Sequence, residues 1–144
     1  MAGLTDLPPL GDDELATLFW GAKLPAPEWT HAAHLRMAWL TLAQHPIDES
    51  HVLLRVGIIR LNAFHGLIET PQRGYHETLT RVWLTLVDAA RKADAGAGSR
   101  AFLELHPAAL TREAPLRHYS RERLFSVHAR ACFVDPDLEP LPLV

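Results

Sequence analysis

Three histidines in this chain have the type and spacing to bind a metal ion. His31 and His34 stand three residues apart in Trp-Thr-His-Ala-Ala-His-Leu, and His76 follows a Gly-Tyr pair. Residues three apart on a helix lie on one face. Neutral imidazole is a common metal ligand, and three protein ligands with an open position are typical of a catalytic zinc site. We therefore predict that His31, His34 and His76 hold a divalent metal ion, with zinc or iron favoured.

Neighbouring side chains could complete an enzyme site. Glu77 could act as a base or orient a metal ligand, His76 could take part in catalysis itself, and the Tyr75 phenol could donate a proton. Arginine suits a substrate carboxylate or phosphate because its guanidinium group can bind two oxygens at once. The candidate substrate-binding residues are Arg73, Arg121 and Arg123. This set predicts a small metal-dependent enzyme with hydrolase- or lyase-type chemistry on an anionic small molecule.

The same residues leave other functions open. A metal-free enzyme could use His34 and His76 as acid and base. A non-catalytic module could bind a ligand or a partner segment at the same end of the molecule. Each residue also has a purely structural interpretation, since a histidine at a helix start can cap the helix. The C-terminal arginines can likewise bind the acidic tail at 135–139.

Helices must position these side chains, because apolar residues recur at helical spacing through most of the chain. Thr30 is a good N-cap, Pro46 ends the helix that follows it, and Gly66 ends the next one. Gly57 within that next helix indicates close packing. We predict helices over residues 12–20, 31–44, about 48–65, 75–91 and 99–105. The fold class is an all-α bundle of four main helices with a short fifth helix and an irregular C-terminal arm.

The predicted topology brings the histidines together. Short connections would make the second, third and fourth helices run up, down and up, so the second and fourth helices begin at the same end. His31, His34 and His76 would then meet there, beside the end of the third helix. His51, near the start of the third helix, is expected on the surface at the opposite end. Trp29 and Trp83 are expected to fill core volume.

Size and composition set the class of protein. The 144 residues predict one domain, 1–144, with an irregular lead-in at 1–11 and an extended Pro-rich tail at 134–144. The net charge of −3 argues against a nucleic-acid partner, and no apolar stretch is long enough to predict a membrane helix. Cys132 is the single cysteine, which excludes an intrachain disulfide. With no signal-peptide pattern, these features predict a cytoplasmic protein. They also leave open that the protein forms homo-oligomers.

Several segments resemble a family of small, uncharacterised bacterial helical proteins. These are the Trp-Thr-His-Ala-Ala-His-Leu and Gly-Tyr-His-Glu-Thr-Leu-Thr segments, Tyr-Ser-Arg-Glu-Arg-Leu at 119–124 and the Asp-Pro-Asp-Leu ending. The resemblance spans most of the chain and implies no particular activity. The chain is more loosely similar to the DinB-like metal-binding helical bundles, whose second helix has a Trp-Ser/Thr pair before a His-Leu pair. It differs from them in the shorter spacing from Trp29 to His34.

Overall fold

The computed structural model describes residues 9–144, so most of the predicted lead-in lies outside the described residues. Between residues 9 and 144 the structure is helical and contains no strand, which confirms the predicted all-α class. The helices are α1 (Asp12–Trp20), α2 (His31–Leu42), α3 (Ile47–Phe64), α4 (Glu77–Ala93), α5 (Ser99–Leu105), α6 (Arg121–Leu124) and α7 (Val127–Ala131). Short 3-10 turns span Ala26–Glu28 and Ala114–Arg117. None of the helices in this range is both long and apolar enough to cross a membrane.

Most helix ends follow from local chemistry. Thr30 caps α2 as predicted, because its side-chain oxygen accepts a hydrogen bond from the Ala33 N–H at 3.2 Å. Gly66 follows α3 with a φ of 73°, which suits glycine. The predicted start of α4 at residue 75 is wrong. His76 has an extended backbone and caps α4, since its Nδ1 accepts the Leu79 N–H at 3.0 Å.

The main core lies among α1 to α5 and confirms the close packing predicted at Gly57. A Cβ atom at this position would lie 2.6 Å from Cε1 of Phe19 and 3.0 Å from Cζ3 of Trp20. Phe19 is fully buried, as are Met37 and Leu61 beside it in the same core cluster. The missing side chain therefore lets α1 approach α3 closely.

Helices α2 and α4 contact each other at both ends of α2. The His31 ring packs against Trp83 with 4.9 Å between ring centroids, while Arg91 near the end of α4 donates to the Leu42 carbonyl at the end of α2. The first turn of α2 therefore lies beside the second turn of α4, and the end of α2 lies beside the last turn of α4.

The start of α4 contacts the first turns of α3. Glu77 accepts a hydrogen bond from His51 at 2.7 Å, and Arg81 pairs with Asp48 at 2.9 Å. The start of α4 therefore lies beside the first turns of α3, and the predicted contact with the end of α3 is wrong. His51 is buried in this contact, not exposed at the opposite end as predicted. The connection at 65–76 is long enough to return along α3, which makes this offset possible.

The C-terminal arm folds back over the bundle. Residues 110–125, which we name the roof segment, pack on α4 through a second apolar cluster that includes Val82, Tyr119 and Leu124. The buried Tyr119 hydroxyl donates to the Val134 carbonyl at 2.6 Å. The tail at 134–144 has no helix or strand and bends at 137–139. It binds the roof segment, since Asp137 accepts hydrogen bonds from both the backbone and the side chain of Ser120.

Candidate active site

A cavity of about 570 Å³ lies between the roof segment and helices α2, α3 and α4. The three predicted histidines, His31, His34 and His76, all line it, so the sequence placed them in one region correctly. Trp29 and Trp83 also line it, while still packing against the core as predicted. The cavity is within the size range of small-molecule sites in proteins.

His34 keeps one ring nitrogen available in this cavity. Its Nδ1 lies 2.7 Å from the Thr30 carbonyl oxygen, which can only accept, so Nδ1 carries the proton of the neutral ring. Nε2 then carries the lone pair, and it has no hydrogen-bond partner among residues 9–144. The ring stacks on Trp29 with 3.7 Å between centroids and 27° between planes. The sequence thus fixes both the tautomer and the orientation of His34 from its own first helical turn.

Burial lowers the pKa of His34 to about 4, and the positive charges of His31 and Arg112 act in the same direction. The hydrogen bond to the Thr30 carbonyl opposes this shift without cancelling it. His34 is therefore neutral at physiological pH, with Nε2 ready to accept a hydrogen bond or a proton.

The other two histidines hold the roof segment in place. His31 Nε2 donates to the Leu110 carbonyl at 3.1 Å, and His76 Nε2 donates to the Leu124 carbonyl at 2.9 Å. Since His76 Nδ1 also accepts from α4, both of its nitrogens are occupied. Burial lowers the pKa of His76, with the charge of Arg130 acting in the same direction, which favours the neutral ring that this double role requires.

The predicted metal ligands do not fit a metal ion in this arrangement. In the described part of the chain, no three His, Cys, Asp or Glu side chains come together as a ligand set. His76 would have to break two hydrogen bonds to ligate a metal ion. Metal binding by these three histidines stays a prediction that the side-chain geometry does not support.

Glu77 and Tyr75 belong to a separate polar network. The Glu77 carboxylate accepts hydrogen bonds from the Tyr75 hydroxyl at 2.7 Å, from His51 at 2.7 Å and from Arg55 at 2.6 Å. Burial alone would raise the pKa of Glu77, but these donors outweigh it and lower the pKa. Burial and the neighbouring carboxylate raise the pKa of Tyr75. Glu77 lines a smaller neighbouring cavity and not the 570 Å³ cavity, which we name the His34 cavity; among residues 9–144, Tyr75 alone borders both.

The candidate arginines separate in the structure. Arg121 lines the His34 cavity, whereas Arg123 donates through Nε to the Asp135 carbonyl at 2.6 Å and Arg73 is exposed outside both cavities. Arg112 lines the cavity too and was missed, because it stands in a stretch without helical periodicity that offers no sequence signal. Arg112 and Arg121 are exposed, and neither side chain has a hydrogen bond or ion pair with any residue from 9 to 144.

The lining therefore combines apolar walls, two imidazoles, of His34 and His31, that each have one ring nitrogen without a hydrogen-bond partner among residues 9–144, and two guanidinium groups that have no partner there either. Such a set can accept a proton from a small molecule and bind its anionic group. Comparison of the chain with protein-family models, with curated proteins and with solved structures finds no match.

Proposed function

We propose that this protein is a small metal-free enzyme in which His34 removes a proton from a small anionic molecule bound in the cavity. The observation that carries this proposal is the Thr30 hydrogen bond, which puts the proton on Nδ1 and leaves the Nε2 lone pair without a partner among the described residues. Lyase-type chemistry, which needs a base to remove a proton, suits this site best. With a single cysteine, the cytoplasm is the compartment that we expect.

The surroundings of His34 support proton transfer in three ways. The Thr30 carbonyl holds the ring in position and stabilises the imidazolium that forms when Nε2 takes a proton. The Trp29 face stacked on the ring favours the same cation. Apolar side chains, Leu54 and Trp83 among them, line the cavity beside His34, and such walls strengthen electrostatic interactions inside it.

A second candidate function is non-catalytic binding of the same kind of molecule. It is favoured by the low pKa of His34, because a general base works best when its pKa is close to the working pH. In that case Nε2 only accepts a hydrogen bond from the ligand.

Turnover of 5-nitrobenzisoxazole distinguishes these candidates without a known substrate. A base removes the ring C–H proton of this flat molecule, the N–O bond breaks, and a coloured cyanophenolate forms. We expect the protein to accelerate this reaction at least about tenfold over its His34→Gln variant. The rate should rise as the pH passes about 4 and then level off.

Two controls complete the test. The exposed His128 gives a matched variant, His128→Gln, that should keep the full rate. A chelator should leave the rate unchanged, whereas the metal-dependent enzyme predicted from the sequence would lose activity. A wild-type rate equal to that of His34→Gln would contradict catalysis and leave the binding function.

A further inference from the structure

We infer that the ligand of this cavity is an amphiphilic monoanion whose apolar body lies inside and whose single anionic group binds Arg112 and Arg121 at the mouth. The inference rests on the proposed use of this cavity and names the chemical class of its ligand. It also assigns Arg112 as a residue that determines specificity.

The inner walls favour an apolar body. Leu54 and Ile58 of α3, Trp83 and Leu84 of α4, and Trp29 before α2 line the cavity. Helices α2, α3 and α4 contribute no Asp, Glu, Lys or Arg side chain from the described residues to this lining. Apolar surface buried against these walls is stabilised by roughly 25 cal/mol per Å².

Most side-chain polar groups that line the cavity on α4 and just before it already have partners within the protein. The Thr80 hydroxyl donates to the His76 carbonyl at 2.8 Å, the Tyr75 hydroxyl donates to Glu77, and both His76 nitrogens are bonded. A ligand with many hydroxyl groups would lose its hydrogen bonds to water and find few replacements. The apolar body of the ligand should therefore carry few polar groups. One of its hydrogen atoms should face His34 Nε2.

The mouth carries the opposite chemistry. Arg112 precedes the 3-10 turn of the roof segment and Arg121 begins α6, so the two cations come from opposite ends of this segment. Glu113 is the one carboxylate among the described residues of the lining, which leaves a net charge of +1 from these three groups. This charge balance favours one anionic group over two, since a second would be repelled by Glu113.

Calorimetric titration with three probes tests the inference. 4-Phenylbutyrate has the body and the charge, 4-phenylbutanamide has the body alone, and inorganic phosphate has charge alone. We expect 4-phenylbutyrate to bind about tenfold more tightly than the amide, as one charge-assisted contact would give, and phosphate to show no saturable binding. Equal affinity for acid and amide, saturable phosphate binding, or no binding of 4-phenylbutyrate would overturn the inference.

Arginine variants locate the anion. Arg112→Gln together with Arg121→Gln should weaken 4-phenylbutyrate binding about tenfold and leave the amide unchanged. Arg100→Gln, which removes the same charge at an exposed position on α5 outside the cavity, should change neither. Loss of both probes in the double variant would indicate a structural role and overturn the assignment. If 4-phenylbutyrate binds more tightly than the amide as expected but 5-nitrobenzisoxazole is not turned over, catalysis alone is refuted. If 5-nitrobenzisoxazole is turned over but the three probes do not bind as expected, the ligand class alone is refuted.

Discussion

At the scale of single residues, His34 and His76 look equivalent in the sequence but have different hydrogen-bond partners in the structure. Both stand at helix starts, yet His34 bonds the Thr30 carbonyl four residues before it, while His76 bonds Leu124, 48 residues away in sequence. A local partner can be anticipated from helix-start chemistry, but a distant one cannot. The sequence therefore identified histidines that line one cavity, but it could not assign their hydrogen-bond partners.

His34 should make the stability of the protein depend on pH. Its folded-state pKa of about 4 lies below the ordinary 6.5, so the unfolded chain binds more protons between these values. The free energy of unfolding should fall by about 2 kcal/mol from this group as the pH drops from 7 to 5. Urea denaturation at both pH values would measure this, and His34→Gln should lose less stability than His128→Gln over the same range. Equal losses would contradict the prediction.

His76 should stabilise the fold through two separable hydrogen bonds. His76→Asn keeps an N-cap acceptor for α4 but loses the bond to Leu124, which should cost about 1 kcal/mol. His76→Ala loses both and should cost about 2 kcal/mol. Denaturation of the two variants at pH 7 checks the order, and equal stability of the Asn and Ala variants would rule out the capping role.

At the scale of helices, local signals predicted more than long-range ones. Thr30 and Gly66 marked helix ends correctly, because a cap and a positive φ act on the adjacent backbone. Gly57 predicted close packing correctly, because the absence of its side chain leaves room for a neighbouring helix. The offset between α3 and α4 was missed. Helical periodicity predicts which face of a helix is buried, but it does not predict the axial position of one helix relative to the next. The long connection at 65–76 allows several such positions for α4 along α3.

Gly57→Ala should destabilise the protein although alanine favours helix by about 1 kcal/mol. The new methyl group would lie 2.6 Å from Cε1 of the buried Phe19 ring, and overpacking of this kind typically costs 1–3 kcal/mol. In a Phe19→Leu background the ring is gone, so the added cost of Gly57→Ala should shrink. A double-mutant cycle by urea denaturation measures this coupling, and additive effects would disprove direct contact as the cause.

At the scale of the whole molecule, the C-terminal arm completes the cavity and was the hardest part to anticipate. Its turns are short and lack periodicity, so neither the roof segment nor the position of Arg112 could be read from spacing. The prediction that the arginines contact the acidic tail was partly realised, as Arg123 binds the Asp135 backbone while Arg121 faces the cavity. The arm depends on distant contacts, which hydrophobic pattern alone does not encode.

Removing residues 137–144 should loosen the roof segment without unfolding the bundle. The truncation deletes Asp137, which accepts from Ser120, and the carbonyl oxygens of Glu139 and Pro140, which lie 3.0 Å from His118 Nδ1. Losing these bonds should lower the free energy of unfolding, which urea denaturation would measure, and the bundle should still fold.

Hydrogen exchange should locate the change caused by this truncation. Backbone amides of α6 and the neighbouring 3-10 turn should exchange faster, while α2 and α3 keep their protection, because their contacts with the main core are untouched. Removing only the exposed Leu143 and Val144 serves as the control. If the roof segment kept full protection without residues 137–144, the bonds from His31 to Leu110 and from His76 to Leu124 would suffice to hold it. Faster exchange would instead mean that the tail maintains the cavity, so that 4-phenylbutyrate binding should weaken with it.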